Sequence, residues 1–123
     1  MESKRILVID DDLDLRQVLV AALESHGYAV AAASNGREGL AALKAQDVDL
    51  VITDIVMPEM EGIETIFQII SKNPHQKLIA MSGGGRISAR EYLEDANLLG
   101  ATATLPKPFT LSELLDLVES ILD

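Results

Sequence analysis

Leu50-Val51-Ile52-Thr53-Asp54-Ile55-Val56-Met57-Pro58 opens as an apolar, β-branched run and closes on a proline. The first half has the character of a strand buried on both faces. Asp54 ends the run, and Pro58 forbids its simple continuation as a central strand. A carboxylate at the C-terminal end of a buried strand sits on the edge where open α/β sheets bind ligands. A lone aspartate in such a place is usually a turn cap. Asp54 has company, however: Asp10-Asp11 follows the first apolar run, Ser82 the fourth, and Lys107 the fifth.

Outward from this stretch, the chain alternates between two periodicities. Arg5 to Ile9 is a short apolar strand broken by Asp10-Asp11-Asp12, and Asp11 or Asp12 can cap the helix that follows. That helix carries Leu15, Val18, Leu19, Ala22 and Leu23 at helical spacing and stops at Gly27. Tyr28 to Ala33 is a weaker, alanine-rich strand. Asn35-Gly36-Arg37-Glu38 then has the pattern of a capping box, opening a helix with Leu40 and Leu43 inside. Val48 to Thr53 is the third strand. Ile63, Ile66, Phe67 and Ile70 mark a helix that ends before Asn73-Pro74.

Lys77 to Ser82 reads as a fourth strand, and Gly83-Gly84-Gly85 follows it. A second capping box, Ser88-Ala89-Arg90-Glu91, predicts a helix burying Tyr92, Leu93, Ala96 and Leu99. Ala101 to Leu105 is the fifth strand. Thr110-Leu111-Ser112-Glu113 starts the last helix, whose apolar stripe is Leu114, Leu115, Leu117, Val118, Ile121 and Leu122. Five strands alternating with five helices imply right-handed crossovers and a doubly wound parallel sheet, an α/β fold. With 123 residues and no linker or repeat, one domain over residues 1–123 is expected.

Composition narrows the function classes. An apolar fraction of 48% suits a packed globule rather than a disordered chain. No apolar run reaches the roughly 18 residues of a membrane span, and no signal-peptide pattern opens the chain. The absence of cysteine removes thiolate metal sites and cysteine nucleophiles and fits a cytoplasmic protein. A net charge of −10 repels nucleic-acid backbones and anionic lipids, so neither DNA, RNA nor a membrane is the expected partner.

In a parallel sheet every strand ends on the same edge, so Asp10, Asp11, Asp54, Ser82 and Lys107 can converge. Three carboxylates in one crevice repel, and a proton or a cation must relieve them. Mg²⁺ fits best, being hard and content with few carboxylates plus water and phosphate oxygens. Asp54 can then act as a nucleophile toward a phosphoryl group, with Lys107 and Ser82 serving the phosphoryl oxygens.

These residues resemble the receiver domains of two-component response regulators. The motifs are Val8-Ile9-Asp10-Asp11, Thr53-Asp54-Ile55-Val56-Met57-Pro58, Met81-Ser82 and Lys107-Pro108-Phe109. The resemblance implies a flavodoxin-like (βα)5 fold with strand order 2-1-3-4-5 and a cis bond between Lys107 and Pro108. It implies transfer of a phosphoryl group onto Asp54 from a histidine kinase or phosphotransfer protein, then signalling to an unidentified downstream protein. It implies Mg²⁺ held by Asp10, Asp11, Asp54 and the Val56 carbonyl. A stand-alone response regulator is the expected form. Self-catalysed phosphorylation and dephosphorylation, rather than turnover of external substrates, is the expected activity.

Two rivals stay open from the sequence: a receiver-like interaction module that signals without phosphorylation, and a Mg²⁺ phosphatase using Asp12-Leu13-Asp14. The first leaves the retained acidic pair, Asp54, Ser82 and Lys107 without a purpose. The second leaves Asp54 unexplained. His26 and His75 are expected at the surface, not as phosphocarriers. Leu13, Leu15, Gln17 and Pro108-Phe109 form an expected docking rim for the donor.

Two departures from the receiver pattern stand out. Thr104 occupies the position where the family commonly has an aromatic switch residue, and the segment from Ser82 to Gly100 is about one helical turn longer than usual. Switching is therefore expected to run through Gly83-Gly84-Gly85. Val56 and Gly84, whose side chains cannot orient an attacking water, predict a slowly hydrolysed phosphoryl group.

Overall fold

The structure is a computed structural model, which describes residues 3–55, 61–82 and 100–123. Side chains of Glu61 and Ser82 lie outside that description. The strands are β1 (Arg5–Ile9), β2 (Ala29–Ala33), β3 (Leu50–Asp54), β4 (Leu78–Ser82) and β5 (Ala103–Pro106). The helices among the described residues are α1 (Leu13–Ser25), α2 (Gly36–Ala45), α3 (Glu61–Lys72) and α4 (Leu111–Leu122). The helix expected from Ser88 and the Gly83-Gly84-Gly85 loop lie outside the described residues, as does Val56.

All five strands run parallel in the order β2-β1-β3-β4-β5, the order the receiver resemblance implied. The reversal of winding direction lies between β1 and β3, where Ile9 is in register with Thr53. That is the crevice position at which doubly wound sheets bind ligands. Alternation of side chains divides the apolar residues into two layers. Ile6, Val8, Leu50, Ile52, Ile79 and Met81 face α1 and α4. Leu7, Ile9, Val51, Leu78 and Ala80 face α2 and α3. Burial on both faces explains why β1, β3 and β4 read as unbroken apolar runs.

Three helices, α1, α2 and α4, start where their capping residues predict. Asp12 rather than Asp11 caps α1, accepting from the Leu15 amide at 3.1 Å. Asn35 caps α2 through the Glu38 amide at 2.8 Å, and Thr110 caps α4 through the Glu113 amide at 3.0 Å. Gly27, at φ +92°, closes α1: its amide donates to Glu24 and the Tyr28 amide to Leu23.

Two residues of the expected apolar stripes, Phe67 and Val18, lie outside the core. Phe67 is exposed, at 57% of its surface, and the inner face of α3 is instead Gly62, Thr65, Ile66 and Ile69. The reason is Gly62, which lies directly against the Ile55 backbone and sets the rotation of the helix. Phe67, five residues on, then points about 140° away from that contact. Val18 on α1 is likewise exposed, although Leu19 and Leu23 of the same expected stripe are fully buried.

Candidate functional site

The site is assembled from the last residues of β1 and β3 and the segment after β5. Asp10 follows β1 and is fully buried, Asp54 ends β3 and is nearly so, and Asp11 is exposed at the rim. One carboxylate oxygen from each of the three lies within 4.8 Å of the others. Lys107 enters from the opposite wall. Its Nζ donates to Asp54 Oδ2 at 2.9 Å and stands 3.5 Å from Asp10 Oδ2.

Each atom of Asp10 has a distinct environment. Its amide donates to the Ala33 carbonyl at 3.1 Å, tying the strand end to β2. Its Oδ1 accepts from the Asp12 amide at 2.9 Å, a local turn that bends the chain into α1. Its carbonyl accepts from Arg16 Nη1 at 2.7 Å. Asp10 Oδ2, by contrast, is buried without a hydrogen-bond partner among the described residues. At 3.5 Å its contact with Lys107 is an ion pair rather than a hydrogen bond.

Burial, resisted by the Asp12 amide and the Lys107 charge, pushes the Asp10 carboxyl above its ordinary range; the Asp54 and Asp11 charges add to the rise. Burial pulls Lys107 the other way, but its hydrogen bond to Asp54 and the two carboxylate charges outweigh that and raise it. Lys107 is therefore a cation at neutral pH. The crevice thus holds three hard oxygen donors, one of them buried and underused, which suits a hard divalent cation.

Of the residues singled out from sequence, Asp10, Asp11, Asp54 and Lys107 are brought together. Ser82 ends β4 in register with Pro106 at the same rim, but its hydroxyl and the Val56 carbonyl lie outside the described residues. Thr104 sits half-buried in β5, paired with Ala80. The Lys107–Pro108 bond is cis. His26 caps the end of α1 and His75 follows α3; both are exposed. Leu13, exposed at 54% of its surface, opens α1 next to the crevice.

Three supporting residues were not anticipated. Arg16 grips the Asp10 carbonyl. Gly39 lets α2 close on Ile9, just before Asp10, and Gly62 lets α3 close on Ile55, just after Asp54. The available signal for Gly39 was its placement inside a helical pattern, where glycine is unfavourable unless packing demands it. Gly62 read as the end of the preceding loop, and the structure places it in α3, which begins at Glu61.

Comparison with known proteins agrees with this geometry. A model of the response regulator receiver domain matches residues 6–119. The chain is 36% identical to the response regulator receiver protein CpdR of Brucella abortus, covering 97% of both chains. It is also 36% identical to the response regulator MprA of Mycolicibacterium vanbaalenii, of which it spans about half the length (50%, against 96% of this chain). Among solved structures, a CheY-like receiver domain protein from Methanospirillum hungatei superposes with a TM-score of 0.86 at 32% identity, covering 99% of this chain and 95% of that one. With the fold, the strand order and the acidic crevice in agreement, the chain belongs to the response regulator receiver domain family.

Proposed function

We propose that residues 1–123 form one phosphoacceptor unit in which Asp54 takes a phosphoryl group from a phosphohistidine on a kinase or phosphotransfer protein. The observation that carries this reading is the convergence of Asp10, Asp11, Asp54 and Lys107 at one strand-end crevice. A carboxylate oxygen of Asp54 forms the new P–O bond as the P–N bond to the donor imidazole breaks; the imidazole keeps that electron pair and leaves neutral after protonation. Phosphoryl transfer needs placement and charge neutralisation more than acid–base work. Lys107 supplies part of that, because its Nζ need travel only a short way from Asp54 Oδ2 to a phosphoryl oxygen. The Ser82 hydroxyl is proposed as a donor to another such oxygen.

Asp10, Asp11, Asp54 and the Val56 carbonyl are the proposed ligands for Mg²⁺. A bound cation would satisfy Asp10 Oδ2, which is buried with no hydrogen-bond partner among the described residues. When bound, Mg²⁺ neutralises charge on the phosphoryl oxygens and on the carboxylates. A cytoplasmic setting is part of this proposal; among the described residues no helix is long and apolar enough to cross a membrane.

Intact-mass measurement after incubation with a small phosphodonor and Mg²⁺ tests the reading. One added phosphoryl group is expected on the parent protein. None is expected on Asp54→Asn or after chelation. Equal labelling of the Asn variant would remove Asp54 from the role, and a protein that signals with no labelling at all would favour the phosphorylation-independent module.

A further inference from the structure

Asp11 contributes to the crevice from an exposed position, so something other than burial must aim its carboxylate. The peptide units on either side of it are both pinned. The Asp11–Asp12 unit is held by the Asp12 amide on Asp10 Oδ1, at 2.9 Å. The Asp10–Asp11 unit is held by Arg16 Nη1 on the Asp10 carbonyl, at 2.7 Å. Peptide units are planar and stiff, so fixing both planes fixes the direction in which the Asp11 side chain leaves the backbone.

Arg16 is itself well anchored. Its amide bonds the Asp12 carbonyl at 2.9 Å within the capped first turn of α1, and its side chain is half-buried. The Glu38 carboxyl, lowered first by the Ser34 hydroxyl and amide, also feels the Arg16 charge. A guanidinium on a carbonyl makes a short, charge-assisted hydrogen bond, and it leaves the carboxylates themselves uncovered.

We propose that Arg16 is a positioning residue for the cation site: by clamping the Asp10 carbonyl, it orients the Asp10–Asp11 peptide so that the Asp11 carboxylate faces the crevice. This inference rests on the reading of the crevice as a Mg²⁺ site. Groups that orient metal ligands from behind commonly change metal affinity by about ten- to a hundredfold when removed.

The experiment is a Mg²⁺ titration of the full chain, without phosphodonor, followed by backbone amide chemical shifts. Arg16→Gln and Arg16→Met should each weaken Mg²⁺ binding by about tenfold, and Arg16→Lys should recover part of the loss. Leu40→Ala, on α2 away from the crevice, serves as a variant that destabilises the fold without touching the clamp. Its Mg²⁺ affinity should match the parent's. Residual dipolar couplings should show the Asp11 N–H turned to a new direction in Arg16→Gln with no Mg²⁺ present. Affinities for both Arg16 variants within about twofold of the parent, or an equal loss in Leu40→Ala, would overturn the proposal. A parent protein that binds no Mg²⁺ would sink the cation reading. The Asp11 N–H direction would then decide this inference alone, an unchanged direction overturning it.

Discussion

Ile52 and Asp54 stand two residues apart on one strand and point to the same face of the sheet. Ile52 is fully buried in a layer that includes Ile6, Ile79, Leu114 and Val118. Asp54 is almost as deeply buried, but its neighbours are Asp10, Asp11 and Lys107. Around Ile52 every contact favours folding through burial. Around Asp54, three carboxylates crowd together, Lys107 pairs with two of them, and an oxygen of Asp10 has no hydrogen-bond partner among the described residues. The contrast shows what the apolar body of the sheet is for: it holds together a rim that would not assemble by itself. Stability and site geometry are traded against each other over two residues' length of backbone.

Five substitutions probe that contrast, beginning with the body. Ile52→Ala should lower unfolding free energy by about 2–5 kcal/mol, a large share of the roughly 5–15 kcal/mol of a typical domain. Denaturant unfolding measures it. A loss well below this range would mean that the layer collapses around the cavity and supports the rim less rigidly than its burial implies.

The next substitutions address how the body meets the rim. A methyl group at Gly62 would overlap the Ile55 backbone, which can move only by shifting the chain next to Asp54. Gly62→Ala should destabilise by about 1–3 kcal/mol and slow phosphoryl acceptance from a small donor. At Gly39 the nearest atoms a methyl group would meet are side-chain ones, Cδ1 and Cγ1 of Ile9, and not backbone. Changing the Ile9 rotamer is offset by the better helix propensity of alanine, so Gly39→Ala should lie within about 1 kcal/mol of the parent. Comparable losses in the two variants would remove the distinction between backbone and side-chain bracing.

At the rim itself the sign should reverse. Because the Asp10 carboxyl is raised in the folded protein, the folded state binds that proton more tightly than the unfolded state. Its ionised form therefore opposes folding above the raised value, and the opposition fades as pH falls to the ordinary carboxylate value near ~3.9. Without divalent cations, Asp10→Asn should raise stability by about 1 kcal/mol at neutral pH and by little in acid. A variant less stable than the parent at neutral pH would mean that the Lys107 ion pair outweighs burial.

The smallest effect on folding belongs to Leu13→Asp. Leu13 is exposed, so stability should change by less than about 0.5 kcal/mol. Transfer from a phosphohistidine protein should slow, while acceptance from a small phosphodonor should not. Equal slowing with both donors would place the effect in the crevice and not in donor docking.

The body was more legible in the sequence than the rim's supports. β1, β3 and β4 are buried on both faces, and continuous apolar runs announce that directly. The carboxylates and Lys107 were legible because a parallel sheet brings all its strand ends to one edge. Phe67 was misplaced because apolar spacing does not reveal helix rotation when a glycine makes the closest contact. Arg16 was invisible for a different reason: its partner is a main-chain carbonyl six residues back, and a carbonyl leaves no mark on composition or pattern.

The outermost strand, β2, has a consequence of a colloidal kind. Its sequence Ala29-Val30-Ala31-Ala32-Ala33 contains no charge and no proline, and Ala29, Ala31 and Ala32 are exposed. β2 pairs with β1 on one side and is last in the sheet. Exposed edges are ordinarily guarded by lysine, proline or a bulge, because an open edge is a template for another chain. Here the strand's own side chains provide none of these. The excess of 20 acidic over 10 basic residues instead supplies a long-range repulsion that acid neutralises and salt screens. The acidity that makes the crevice uneasy within one molecule thus also opposes strand addition between molecules.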